Sequence, residues 1–178
     1  MSHSDPQRAW KIAEDNRVCF YGWNGKQVPM SPIVRKEEGA IYFLTDARSD
    51  KVTDIQGQST VQLTFSNESA NDYLFIEGNA QVSNDRAKIK DVWTPFAKAF
   101  WESENDPKIR LIVVSPSHAE FWDGPGAITA TAKMLLASVT GKKPDMGDNR
   151  ETGMEIDWRT IKSCKTDTLF NPPSLSAK

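Results

Sequence analysis

Cysteine is scarce in this chain: Cys19 and Cys164 are the only two in 178 residues. That rules out a disulfide-dense scaffold. Cys19 also lies inside an apolar run, so a reduced, cytoplasmic protein is expected. Histidine is equally scarce, with His3 near the N-terminus and His118 after Ser115 and Pro116. No Cys and His spacing matches a zinc site, and no G-x-S-x-G elbow precedes His118, which reads as a strand-edge surface residue. A basic excess is missing too. The 22 Lys and Arg are outnumbered by 24 Asp and Glu, for a net charge of −2, which argues against nucleic acid as the main partner. No apolar run reaches membrane-spanning length, and MSHSDPQRAW has no signal-peptide core, so no membrane association is expected. No glycine-rich turn follows the first strand-like segment, so the dinucleotide-binding fingerprint is absent. There are no internal repeats.

The most informative stretch present is AIYFLTDARSDKVTDIQ, residues 40–56. Residues 40–44 are an unbroken apolar run of strand length. Thr45, Asp46, Ala47 and Arg48 turn the chain. Ser49, Asp50 and Lys51 then open a short helix, with Val52 and Ile55 on its apolar edge and Gly57 at its end. A strand delivering hydroxyl and cationic side chains to a helix N-terminus makes an anion pocket, because free amides and the helix dipole point there. Phosphate is the obvious guest. An ordinary strand–turn–helix, with Ser49 as cap and solvated cations, accounts for the same residues.

The remaining elements follow from period and punctuation. Ser-Asp-Pro opens a helix over residues 4–15 that carries Trp10 and Ile12. Residues 17–23 read as a strand, Asn24–Gly25 as a hairpin turn, and residues 27–35 as a returning strand interrupted by Pro29 and Pro32. Residues 60–66 alternate cleanly. Residues 72–82 form another strand, with Gly78 marking a bulge. Over residues 84–101 the period turns helical, through Ile89, Val92, Trp93, Phe96 and Phe100, with Pro95 as a break; this stripe reads as core or subunit interface. Residues 110–114 and 119–122 form one long strand bent at Ser115–Pro116. A helix is expected over residues 127–140 and a weak strand at residues 155–159. The expectation is a barrel domain over residues 1–145 and an arm or tail over residues 146–178. Hairpin-linked strands with helices at their ends imply an α+β protein, mainly β, built as an antiparallel six-stranded split β-barrel with helical caps.

The LTDARSDKV turn, the strand at residues 73–78, the DRAKIKDVW stretch at residues 85–93 and AEFWDGPG at residues 119–126 occur in one order. Together they resemble the pyridoxamine 5′-phosphate oxidase-like flavoproteins, split barrels that bind FMN at a homodimer interface. Within them the chain is most similar to the general stress protein branch. The resemblance covers residues 10–145 and implies a site. Met30 and Ser31 would line the isoalloxazine ring with backbone atoms, and Leu44 and Thr45 would flank it. Ser49, Asp50 (by its amide) and Lys51 would hold the phosphate. Tyr73 stands where the oxidases have a flavin-contacting Gln. Trp122 matches a Trp that reaches the flavin from the partner subunit.

Departures from the family pattern narrow the reading. Val28 stands where relatives carry an Arg before the Pro-Met pair. Asp50 replaces the phosphate-binding Arg, with Arg48 as a substitute cation. Residues 128–132 are apolar where the oxidases grip substrate phosphate with Arg and His, so pyridoxamine phosphate oxidation is not expected. The resemblance therefore implies FMN, with FAD or a deazaflavin as secondary options, and a homodimeric oxidoreductase of unknown substrate. The alternative is a non-catalytic stress protein that stores or senses flavin. Haem fits poorly, since neither His falls at a pocket position.

Overall fold

The computed structural model describes residues 5–124, 134, 137 and 148–154. In chain order the elements are α1 (Asp5–Asp15), β1 (Cys19–Trp23), β2 (Lys26–Met30), β3 (Ile33–Arg35), β4 (Ala40–Asp46), α2 (Asp50–Gly57), β5 (Thr60–Asn67), β6 (Asp72–Ser83), α3 (Arg86–Asp91), β7 (Ile109–Asp123) and β8 (Asp148–Gly153). All the strand pairings are antiparallel, in the order β2-β1-β5-β6-β7-β4-β3, with β8 added beside β7. β2 and β3 stand at opposite ends of that order, yet only Ser31 and Pro32 separate them. Three residues of chain span at most about 11 Å, so the two ends of the sheet must meet. The sheet is thus curled into a split barrel of six strands, counting β2 and β3 as one bent strand, with β8 outside that count. The expected prolines make the bend: Pro29 and Pro32 cannot donate to a ladder.

Turn chemistry sets the register. Asn24 and Gly25 take positive φ of 47° and 73°, as a tight hairpin turn requires. The bulge foreseen at Gly78 lies between Glu77 and Gly78, and its extra residue is on β7, where Ser117 has no register partner on β6. Ser117 Oγ donates to the Glu77 carbonyl at 3.2 Å, so the broken ladder keeps a bond. Inward positions on β7 change from Ile112 and Val114 to Ala119 and Phe121 across this bulge.

Two apolar clusters follow. The barrel interior holds Tyr21, Ile41, Phe43, Leu63, Phe65, Leu74 and Phe121. α1 closes it with Ala9, Trp10, Ile12 and Ala13, and α2 adds Ile55. The i, i+3, i+4 spacing on α1 puts these residues on one face. Arg8 on α1 donates to the buried carboxylate of Asp72 at 2.7 Å, tying the helix to the start of β6. Outside the barrel, Ala40, Tyr42, Ile109 and Leu111 are covered by Ile89 and Val92.

The DRAKIKDVW stretch proves structural. Asp85 caps α3, accepting from the amides of Ala87 and Lys88 at 2.9 and 3.1 Å. Arg86 donates to the carbonyls of Asp106, Pro107 and Ile109, stitching both ends of the β6–β7 excursion. The helical stripe does not continue as one helix, because Pro95 opens a separate 3-10 turn, Pro95–Ala99. Phe96 and Phe100 therefore lie 59% and 67% exposed, outside the core of this chain. Of the stretch read as an arm, residues 148–153 pair with residues 118–123 of β7. The expected WDGPG turn beyond Gly124, the helix over residues 127–140 and the strand over residues 155–159 lie outside the described residues, apart from two isolated positions.

Candidate functional site

β4 presents its residues alternately to the two clusters, then stops at Asp46. The Asp46 carboxylate accepts from the Arg48 amide at 2.8 Å and the Arg48 Nε at 3.2 Å, turning the chain. These bonds hold the Asp46 carboxyl below its ordinary value and leave the Arg48 side chain exposed against it. Ser49 occupies the N-cap position of α2 with extended φ and ψ, but its side chain makes no capping hydrogen bond. Ser49 is therefore not spent on the ordinary capping role. Asp50 is exposed. Lys51 is half-buried, and burial pushes its pKa down while Asp50 opposes the shift. Its ammonium lies 5.5 Å from the centre of the Trp23 ring. No hydrogen bond or ion pair to another described residue engages that ammonium.

An unused hydroxyl and a half-buried, unpaired ammonium thus stand in the first turn of a helix, where amides lack partners within it. Hydroxyl, amide and ammonium donors with a favourable dipole suit a phosphate group.

Met30 ends β2 opposite Cys19 and packs half-buried on the barrel core; Ser31 lies outside both ladders at the barrel seam. Leu44, opposite Leu111, lies against the outer cluster together with Trp93 and Trp101. Those two tryptophans were legible only as part of an aromatic stripe. Thr45 is buried opposite Arg110, whose Nη1 donates to Asn84 Oδ1 and to the carbonyls of Pro107 and Ile109.

Tyr73 and Trp122 are direct register partners on β6 and β7, each 38% exposed on the outer face of the sheet. Trp122 is eleven residues along β7 from Leu111, which is about 35 Å of extended strand. Within one chain, then, the fold groups Leu44 through Lys51, and separately Tyr73 with Trp122. It does not group Trp122 with Leu44. The outer face carrying Trp122 continues through half-buried Phe75 to Phe20, which is 50% exposed.

Two other sequence candidates are resolved by position. His118 is not at a strand edge: β7 is flanked there by β6 and β8, with Glu77 and Gly153 opposite it, and its Nε2 is 3.8 Å from Glu120. A polar, glycine-containing β8 gave no strand signal, so that second neighbour was not foreseen. Cys19 is a free thiol in the core, pushed up to about 12 by burial, which suits packing rather than nucleophilic chemistry.

Fold and geometry together define a split-barrel protein with an uncapped Ser49 and a half-buried Lys51 at the β4–α2 turn and exposed aromatic rings on the outer face of its sheet. The family model described as pyridoxamine 5′-phosphate oxidase like matches residues 4–145, and the chain belongs to that family. Among solved structures, one assigned to general stress protein 26 from a Jannaschia species is 25% identical, covers 85% of this chain and 99% of its own, and superposes with a TM-score of 0.72. The general stress FMN/FAD binding protein of Xanthomonas citri is 22% identical, covering 66% of this chain and 87% of its own at a TM-score of 0.60. General stress protein 26 of Bacillus anthracis is also 22% identical, covering 65% and 92% at a TM-score of 0.58. No curated protein sequence matches the chain.

Proposed function

We propose that this protein binds FMN at the interface of a homodimer and serves as a flavin-dependent oxidoreductase. The observation that carries the reading is the first turn of α2, where the Ser49 hydroxyl makes no capping bond and the half-buried Lys51 ammonium has no carboxylate partner among the described residues. Leaving such a charge unpaired is costly, and a phosphate dianion would relieve that cost. Ser49, Lys51 and the amide of Asp50 would hold the phosphate. Leu44, Thr45, Met30 and the backbone of Ser31 would border the ring. Arg48, released from Asp46, would add a further cation at the rim. Bound there, FMN supplies hydride or electron transfer. The protein's part is to position the flavin and exclude water with apolar walls. FAD and a deazaflavin are secondary options.

The dimer is supported by the uncovered aromatic face of Phe20, Phe75, Tyr73 and Trp122. It is supported also by the strand length separating Trp122 from Leu44 in one chain. A second copy would bring its Trp122 to the first chain's flavin, completing a wall that one chain leaves open. The buried free thiol of Cys19 fits the reducing cytoplasm, which is where we place the protein.

The test is titration of the purified protein with FMN, following flavin fluorescence. Saturable quenching at micromolar or lower concentration, near one flavin per chain, is expected. Trp122→Leu should lift the quenching. No saturable binding by a folded dimer would overturn the reading. A non-catalytic flavin-binding role is favoured by one observation: the Xanthomonas citri protein is named for binding FMN/FAD, not for a reaction. Reduction of bound FMN by NADH or NADPH, with multiple turnovers on reoxidation, would favour the oxidoreductase; binding without turnover would favour storage or sensing.

A further inference from the structure

The first turn of α2 carries one ammonium of its own, Lys51, beside the exposed carboxylate of Asp50. The tertiary structure brings a second cation from the β1–β2 hairpin. Lys26 shares a strand face with Val28, one pleat nearer the turn, and its ammonium reaches the first turn of α2, 3.8 Å from Asp50 Oδ2. It is held there by Asp54, whose Oδ2 accepts from Lys26 Nζ at 3.3 Å and from the Trp23 indole N–H at 2.8 Å. The Lys26 ammonium lies 5.7 Å from the centre of the Trp23 ring, the same ring that Lys51 approaches to 5.5 Å. Two cations from distant parts of the chain therefore share one aromatic platform.

Lys26 is also accessible. Its side chain is 51% exposed. Along β2, Lys26 and Met30 are four residues apart, about 13 Å of extended chain. The strand thus runs from the two lysines at one end to the barrel seam at Met30 and Ser31 at the other. That is the order in which a flavin nucleotide presents its phosphate, ribityl chain and ring.

We propose that Lys26 and Lys51, both gathered at the Trp23 ring, bind the flavin phosphate together. Asp54 is the positioning residue that aims Lys26 and Trp23. This inference rests on the flavin-binding reading and assigns its phosphate a second cation from the hairpin.

The experiment compares dissociation constants for FMN and for riboflavin, which lacks the phosphate, by fluorescence titration of the full chain. Lys26→Met should weaken FMN by about tenfold, the loss of one charge-assisted contact, while leaving riboflavin unchanged. Lys26→Arg should retain FMN affinity, and circular dichroism should show both variants folded. Asp54→Asn keeps the cation but releases it, and should weaken FMN severalfold, less than Lys26→Met does, while leaving riboflavin unchanged. If Lys26→Met binds FMN as wild type does while Lys51→Met is weakened, Lys26 is outside the site and the flavin reading stands. If Asp54→Asn and Lys26→Met weaken FMN and riboflavin alike, Lys26 acts only through the hairpin's structure. Failure of the wild type to bind FMN overturns both readings at once.

Discussion

At the scale of single residues, Gly78 is fixed by contact rather than by φ. A Cβ there would meet the Ser115 carbonyl oxygen at 2.6 Å and Pro116 Cα at 3.1 Å, both backbone atoms with little room to move. Gly78→Ala is expected to destabilise the protein by about 1–3 kcal/mol, as overpacking does, read as a lowered midpoint in urea unfolding. An unchanged midpoint would mean that β6 and β7 can separate at the bulge at little cost. Lys51 is the opposite case, a side chain whose ammonium has only the Trp23 ring as its contact among the described residues. Lys51→Ala should weaken FMN binding by about 1–3 kcal/mol, with little change in thermal midpoint. Equal affinity in the titration would place the phosphate elsewhere. Sequence named Lys51, Ser49 and Gly78 from local pattern alone, because a helix start and a strand glycine are short-range signals. Lys26 carried no such signal, since Asp50, Lys51 and Asp54 are 24 to 28 residues away in the chain and only its contact with Trp23 is local.

Among elements, the β6–β7 excursion is fastened to β4 by a polar cluster. Lys88 on α3 donates to Glu38 Oε1 at 2.7 Å and Asp91 Oδ2 at 2.9 Å, and stands 4.9 Å over the Tyr42 ring. Tyr42 donates to the other Glu38 oxygen at 2.5 Å. Burial pushes Tyr42 up to about 12, assisted by the charge of Glu38. Burial alone would raise Glu38, but its hydrogen bonds from Lys88 and Tyr42 prevail and hold it below its ordinary value of 4.5; Lys88 likewise holds Asp91 below 3.8. Since both folded carboxyls are depressed, the stability they confer is fully present above those ordinary values. It is lost as pH falls through the lower folded ones. Lys88→Met should therefore flatten the loss of stability between about pH 5 and pH 3, measured by urea midpoints across that range. Unaltered pH dependence would show that the cluster is too solvated to matter. The sequence marked this segment by its DRAKIKDVW motif but not by its purpose. Helical period over residues 84–101 was real for Ile89 and Val92 and ended at Pro95, so Phe96 and Phe100 left the stripe.

For the whole molecule, a sheet whose two ends meet at Ser31–Pro32 carries exposed Phe20, Tyr73 and Trp122 on one outer face, which no other described residue covers. Apolar rings on such a face favour burial against a partner. Sedimentation should give twice the 19.9 kDa chain mass. If the proposed dimer forms through this face, Phe20→Glu should shift the protein toward monomer and weaken FMN binding in parallel, because a second copy's Trp122 would be lost with the interface. A monomeric Phe20→Glu that binds FMN as wild type does would place the whole flavin site within one chain.

By itself the sequence determined the parts: the strands with clean alternation, the Asn24–Gly25 turn, the bent strand with its prolines, and the strand–turn–helix that carries Ser49 and Lys51 after β4. These are set by dihedral preferences and by periods that act over a few residues. Tertiary structure decided what those parts meet. It closed the sheet at Ser31–Pro32, put β8 beside β7, separated Trp122 from Leu44, and brought Lys26 and Lys51 to one Trp23 ring. Such pairings depend on strand order and register, which long-range packing fixes and local propensity does not encode.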